Sequence, residues 1–144
     1  MEKYDASKLD NQLCFPLYAA SRELIKSYRP FLDEVGLTYT QYITMMVIWE
    51  TGRINVKELG DRLYLDSGTL TPVLKSLEAK GYINRRRSKE DERILNVEIT
   101  EAGELLRGKA EKIPDKVFAC ADISQKDAQA LNSLLRKILL KIRN

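Results

Sequence analysis

The chain has 144 residues, 24 Lys+Arg against 21 Asp+Glu, a net charge of +3, 44% apolar residues and no histidine. That length and apolar content suit one domain with a real core, and the near-balance of charge excludes both an acidic disordered tail and a strongly basic clamp. Without histidine there is no Ser-His-Asp or Cys-His nucleophilic system, no His-ligated zinc and no ordinary acid–base residue near neutral pH, so most hydrolase readings fall.

The longest apolar run, Met45-Met46-Val47-Ile48-Trp49, is far short of the roughly 20 residues that a membrane-spanning helix needs. The start, MEKYDASKLDNQL, carries acids and polar residues where a secretory signal carries a basic start and an apolar block, so a cytoplasmic location is expected. Cys14 and Cys120 are too few and too distant in sequence for a four-cysteine zinc site or a CxxC pair, and a reducing cytosol opposes a permanent disulfide. No metal site and no cofactor is expected.

No repeat, low-complexity tract or Gly/Pro-rich linker divides the chain, which reads as one domain over 1–144. Leu13, Leu17, Leu24 and Ile25 begin a first helix whose start is constrained by Pro16, with Cys14 at or just before the first turn. Pro30 is expected to bend or end it, and Gly36 suits a left-handed cap. Thr38 with Gln41 makes a capping box, and Leu37 with Tyr42 a hydrophobic staple, for a second helix over about 39–51. The same signals at Asn55 and Glu58, and at Ile54 and Leu59, open a short third helix that stops near Tyr64. After Asp66-Ser67-Gly68-Thr69, the spacing of Leu70, Val73, Leu74 and Leu77 predicts a fourth helix over 67–80, with Pro72 bending its first turn or delaying its start to Gly68 or Thr69.

From Tyr82 the apolar period becomes two, and Leu95, Val97 and Ile99 alternate with polar residues beyond a charged run, predicting a two-stranded hairpin. Thr100 caps a fifth helix, which Pro114 kinks or divides. Ser124 and Asp127 open the last one, where Leu131, Leu134, Leu135, Ile138, Leu139 and Ile142 form a stripe too wide for one neighbour. A second copy of the chain would account for the excess.

Short helix, tight turn, second helix and hairpin is the order of a winged helix-turn-helix that reads duplex DNA. Ser67, Thr69, Thr71, Lys75 and Ser76 occupy outward positions of the second helix, where small hydroxyls and one cation suit base edges and phosphates. Arg85, Arg86, Arg87 and Lys89 place four positive charges at the hairpin tip with no acid among them, the local density that phosphate attraction requires. Arg93 is placed to enter a minor groove, with Asp91 able to hold its guanidinium by a bidentate pair.

The motifs Leu59-Gly60-Asp61-Arg62-Leu63, Ser67-Gly68-Thr69-Leu70-Thr71, Leu77-Glu78-x-x-Gly81-Tyr82-Ile83, Asp91-Glu92-Arg93 and Ile99-Thr100-x-x-Gly103 resemble the MarR family of winged-helix transcription regulators. The resemblance implies a mainly α fold with a small β-hairpin wing, a DNA-reading part over about 39–100, and dimerisation helices over 1–36 and 101–144. It also implies a homodimeric repressor on palindromic operator DNA.

Beyond that half, Asn11-Gln12-Leu13-Cys14-Phe15, Tyr28-Arg29-Pro30, Leu37-Thr38-Tyr39-x-Gln41-Tyr42 and Tyr64-Leu65-Asp66-Ser67-Gly68 resemble the branch of the family that governs resistance to organic hydroperoxides. By that resemblance Cys14 is the peroxide-sensing thiol, Tyr28 and Tyr39 hydrogen-bond it, Tyr18 lies close by, and Cys120 matches a resolving cysteine found in some members. Pro16 stands where related chains carry Ala or a similar small residue. The chemistry has its own support, since a thiol in a helix's first turn meets the positive end of the dipole, tyrosine hydroxyls can donate to a thiolate, and a thiolate attacks peroxide oxygen to give sulfenic acid. Leu13, Phe15 and Leu17 favour an organic peroxide over a small hydrophilic one. Two other readings stand beside this one: a regulator gated by a small apolar or phenolic ligand, with Cys14 incidental, and a thiol peroxidase, for which no Arg-supported peroxidatic motif accompanies Cys14.

Overall fold

The computed structural model of the protein describes residues 4–143; Met1, Glu2 and Lys3 of the N-terminal segment read above, and Asn144, lie outside them. Seven α-helices and three strands occur in the order α1 (Cys14–Val35), α2 (Tyr39–Thr51), β1 (Arg53–Asn55), α3 (Val56–Leu63), α4 (Ser67–Ala79), β2 (Ile83–Arg87), β3 (Leu95–Ile99), α5 (Glu101–Ala110), α6 (Ile113–Ala121) and α7 (Gln125–Arg143). The contacts divide the chain into a unit that ends at Ile113 and a second that begins at Pro114.

Capping fixes most helix starts in the first unit. Thr38 accepts from the Gln41 N–H while the Gln41 side chain accepts from the Thr38 N–H, so the capping box of α2 is complete. Asn55, Asp66 and Thr100 each accept from the backbone three residues on and start α3, α4 and α5. The Asp66 cap starts α4 at Ser67 rather than at Gly68 or Thr69, with Pro72 inside the helix. Pro30 likewise lies within α1, which runs on to Val35 and a left-handed Gly36 cap. Pro114 divides the fifth predicted helix into α5 and α6.

Met45, Ile48, Leu59, Leu70, Leu74, Leu77, Ile83 and Val97 are fully buried and join α2, α3, α4 and the sheet, each large apolar side chain contributing roughly 1.5–3 kcal/mol. The turn between α3 and α4 is tight. Tyr64 adopts a left-handed conformation, the Leu65 N–H donates to the Gly60 carbonyl at 3.0 Å, and a Cβ on Gly60 would lie 2.7 Å from the Leu65 carbonyl oxygen. Only glycine permits that approach.

The wing is a three-stranded antiparallel sheet of order β1-β3-β2, not an isolated hairpin. Strand β1 pairs Arg53 with Glu98, Ile54 with Val97 and Asn55 with Asn96, and an Arg53–Glu98 ion pair at 3.5 Å crosses the same rung. Three residues carry no strand period of their own, so β1 exists through its partner. In the second unit Ser124 caps α7 by accepting from the Asp127 N–H. No residue of α7 is buried, and Leu131, Leu134, Leu140 and Ile142 are exposed.

Candidate nucleic-acid interface and thiol site

Helix α4 presents the first surface. Ser67, Thr69 and Lys75 are exposed, while the Thr71 hydroxyl donates to the Ser67 carbonyl at 2.7 Å. Ser76, expected to face outward, is half-buried and accepts from the Gln41 side-chain amide at 2.9 Å. Ser76 follows half-buried Val73 by three positions and directly precedes buried Leu77, so it stands at the border of the buried face, within reach of the α2 amide.

In the wing, Arg85, Arg86 and Arg87 lie on β2 and not at the tip, which spans 88–94. The Arg85 guanidinium donates to Glu78 at 3.1 and 3.3 Å, and its backbone N–H donates to the other carboxylate oxygen at 2.9 Å. Those bonds hold the Glu78 carboxyl below its usual range. Arg85 therefore has the compensating acid that the local count omitted, because Glu78 belongs to α4. Arg86, Arg87 and Lys89 are exposed, with Arg87 also reaching the Glu92 carbonyl at 3.3 Å. Arg93 donates to both oxygens of Asp91 at 3.0 and 3.1 Å and keeps its side chain 91% exposed, so the guanidinium is oriented yet free on its outer face. The bonds from Arg93 also hold Asp91 below the ordinary carboxylate range.

A groove of about 730 Å³ separates α4 from the wing, and Ser67, Thr71 and Arg93 line it together with Asn55, Lys57 and Asp61. The periodicity of the sequence did not single out Lys57; its position in the first turn of α3 is the signal that a reading of α4 and the wing alone passes over.

The thiol site lies on α1. Cys14 is the first residue of the helix and is exposed, between exposed Leu13 and Phe15. Leu13, the N-cap, provides no side-chain cap, and no acid stands in the first turn. Tyr18, one turn on, is exposed and has the Arg22 guanidinium 5.3 Å above its ring. Tyr28 and Tyr39 meet elsewhere, edge to face at 5.0 Å, with Tyr42 behind them 5.9 Å from Tyr28. Burial raises all three hydroxyls above their usual range, and the neighbouring tyrosines help push Tyr42 to about 12, so they stay protonated donors at neutral pH. Fourteen residues of continuous helix separate Cys14 from Tyr28, which is about 21 Å. Tyr28 therefore cannot hydrogen-bond the Cys14 thiol of its own chain. Cys120 is exposed near the end of α6.

The family model for transcriptional regulator SarA/Rot matches residues 26–112. The organic hydroperoxide resistance transcriptional regulator of Bacillus subtilis (strain 168) is 48% identical over 137 residues, which are 95% of this chain and 93% of that protein. The chain belongs to the MarR/SarA-type winged-helix transcriptional regulators. Another relative in that family, the HTH-type transcriptional regulator SarZ of Staphylococcus haemolyticus, is 47% identical and covers 92% of this chain and 90% of its own. The crystal structure of AbfR of Staphylococcus epidermidis superposes with a TM-score of 0.75 at 31% identity, over 94% of this chain and 95% of that one. AbfR has also been solved reduced and bound to DNA, and in a disulfide-formed state. The family is one of regulators and not of enzymes, which removes the thiol peroxidase reading. Among the described residues no helix is long and apolar enough to cross a membrane.

Within this family the exposed Arg93 sets a direct expectation. Arg93→Ala should weaken binding to a duplex selected by the protein from a random-sequence pool by about tenfold and lower the slope of affinity against salt. Unchanged affinity and slope, measured by fluorescence anisotropy, would remove the wing from the interface.

Proposed function

We propose that the protein is a dimeric repressor that holds operator DNA while Cys14 is reduced and releases it when an organic hydroperoxide oxidises Cys14. The observation that carries the reading is Cys14 itself, exposed at the first position of α1 in an uncapped first turn among exposed apolar residues, in a chain 48% identical to an organic hydroperoxide resistance regulator. The whole chain acts as one MarR-type domain in the cytoplasm, with 39–100 reading DNA and 1–36 and 101–144 forming the dimer. Ser67, Thr69, Thr71, Lys75, Arg86, Arg87, Lys89 and Arg93 contact the duplex, with Asp91 orienting Arg93.

A second copy is needed for the tyrosines as well as for the exposed apolar face of α7. Because about 21 Å of helix separates Cys14 from Tyr28, donors to the thiolate from Tyr28 and Tyr39 come from the partner. In the reaction the thiolate sulfur attacks the peroxide, an S–O bond forms as the O–O bond breaks, and the departing alkoxide takes a proton to leave as alcohol. The sulfur is oxidised by two electrons and the peroxide reduced by two. The Cys120 thiol of the partner then attacks the sulfenic acid, forming an S–S bond and releasing water. Closure needs Cα atoms within about 7 Å.

Two measurements test this. Reduced protein bound to its selected duplex should dissociate on adding one equivalent of cumene hydroperoxide, and a duplex retained with Cys14 oxidised would refute the repressor reading. Oxidised protein should run as a covalent dimer on non-reducing gels; a monomer band with Cys120 still a free thiol by mass spectrometry would leave Cys14 as a lone sensor.

One observation favours the ligand-gated alternative, a surface groove of about 340 Å³ where Ile25, Leu32, Leu37 and Tyr39 meet Lys26 and Arg29. The lining also holds Asp33 beside the two cations, so its apolar wall and mixed polar rim suit a small phenol. A regulator of that kind ignores the peroxide and releases DNA with a ligand in both wild type and Cys14→Ser.

A further inference from the structure

Between the α1–α2 corner and the recognition helix α4 lies a side-chain junction that neither the wing nor the thiol chemistry uses. Gln41 is 7% exposed, a buried amide in the first turn of α2. Its Nε2 donates to the Ser76 hydroxyl at 2.9 Å, and its Oε1 accepts from the Thr38 N–H at 3.0 Å and from Lys80 Nζ at 3.1 Å. Lys80 Nζ also donates to the carbonyl of Gly36 at 2.6 Å. One ammonium at the C-terminal end of α4 thus grips both the cap of α1 and the cap of α2, and one amide returns the grip to α4.

We propose that Gln41 and Lys80 are positioning residues that couple the α1–α2 corner to α4, so that displacing the corner turns the recognition helix on DNA. Apolar contacts between helices let one slide over the other at small cost, whereas these bonds are directional. Moving the corner without α4 breaks bonds to a charged group and leaves a buried amide unsatisfied, a heavier cost than moving the two together. Tyr28 and Tyr39, packed at 5.0 Å, sit on the two helices that meet at this corner. The inference deepens the redox reading, which supplies the signal that moves the corner.

Lys80→Met keeps the apolar stem and removes the ammonium. In the full-length protein its reduced form should bind the selected duplex within about threefold of wild type, while the oxidised-to-reduced ratio of Kd falls by about tenfold. Mass spectrometry of the same sample should show Cys14 oxidised by cumene hydroperoxide as fully as in wild type. Lys80→Arg should restore the ratio, and Ser76→Ala should lower it less. Where wild type releases its duplex on oxidation, a Lys80→Met protein that is oxidised at Cys14 and keeps the wild-type ratio overturns the coupling, as does a loss of reduced-form affinity with the ratio unchanged. Hydrogen exchange separates this from failure of the redox reading, because it needs no oxidant. DNA binding should protect the amides of residues 36–41 in wild type and not in Lys80→Met, with α4 protected in both. If wild type keeps its duplex when oxidised yet shows that protection, the redox reading fails and the junction stands; equal protection of 36–41 in both proteins overturns the junction.

Discussion

Cys14→Ser should bind its selected duplex as wild type does and hold it through treatment with organic hydroperoxide, where wild type loses about 5–150-fold in affinity. The substitution changes one exposed atom at the first position of α1 and touches no buried group, so folding and basal binding have no reason to change. It removes the response outright, because a hydroxyl cannot enter the sulfenic pathway. Anisotropy titrations before and after one equivalent of cumene hydroperoxide decide the matter. A variant that still lets go would transfer the sensing role away from α1, with Cys120 the next thiol to replace.

Gly103→Ala should be among the most damaging single-methyl changes available to this chain. A Cβ at that position would lie 2.3 Å from the Tyr82 carbonyl oxygen and 2.8 Å from Ile99 Cγ1, and the first of these is backbone that cannot swing aside. The Gly103 carbonyl also accepts from the Trp49 indole N–H at 2.9 Å, so relief of the clash strains the tie between α5 and α2. A loss of about 3 kcal/mol is expected, at the upper end of overpacking costs. Gly108, in the same helix, supplies the control. No atom lies within 4 Å of its added Cβ, and Gly108→Ala should stabilise by about 0.5–1 kcal/mol. Urea unfolding of the two variants side by side checks both signs. Equal midpoints would mean that α5 does not press on the β2 turn as described.

Local signals account for what the sequence revealed of this architecture. The caps at Thr38, Asn55, Asp66 and Thr100 lie within three residues of the amides they satisfy, and the apolar spacing of α4 needs only one helix to be read. The Asp91–Arg93 pair spans two residues and was equally legible. What escaped the sequence depends on distant partners. Strand β1 is defined by residues 96–98, the partner of Arg85 is on α4, and Ser76 turns inward to an amide 35 positions earlier. Of the two outcomes open at Pro30, ending the helix is excluded, since α1 runs on to Val35 and the surrounding structure absorbs the hydrogen bond that proline removes. The thiol site divides the same way: Cys14 and its first turn are local, whereas the distance from Cys14 to Tyr28 follows from the unbroken length of α1.

The sheet order has a mechanical consequence. Strand β3, at the centre, is sewn to β1 at the end of α2 and to β2 on the other edge, while Glu78 bolts β2 to the recognition helix through Arg85. A free hairpin could flex to keep its grip on a minor groove after the helix had begun to leave the major one. This wing is tied at its base to α4 through Arg85 and Glu78, and a wing so tied is expected to swivel with the helix as a single jaw. On the DNA-binding mode proposed above, engagement of both grooves would be gained or lost together, and a small shift near α2 would become an all-or-nothing change of grip.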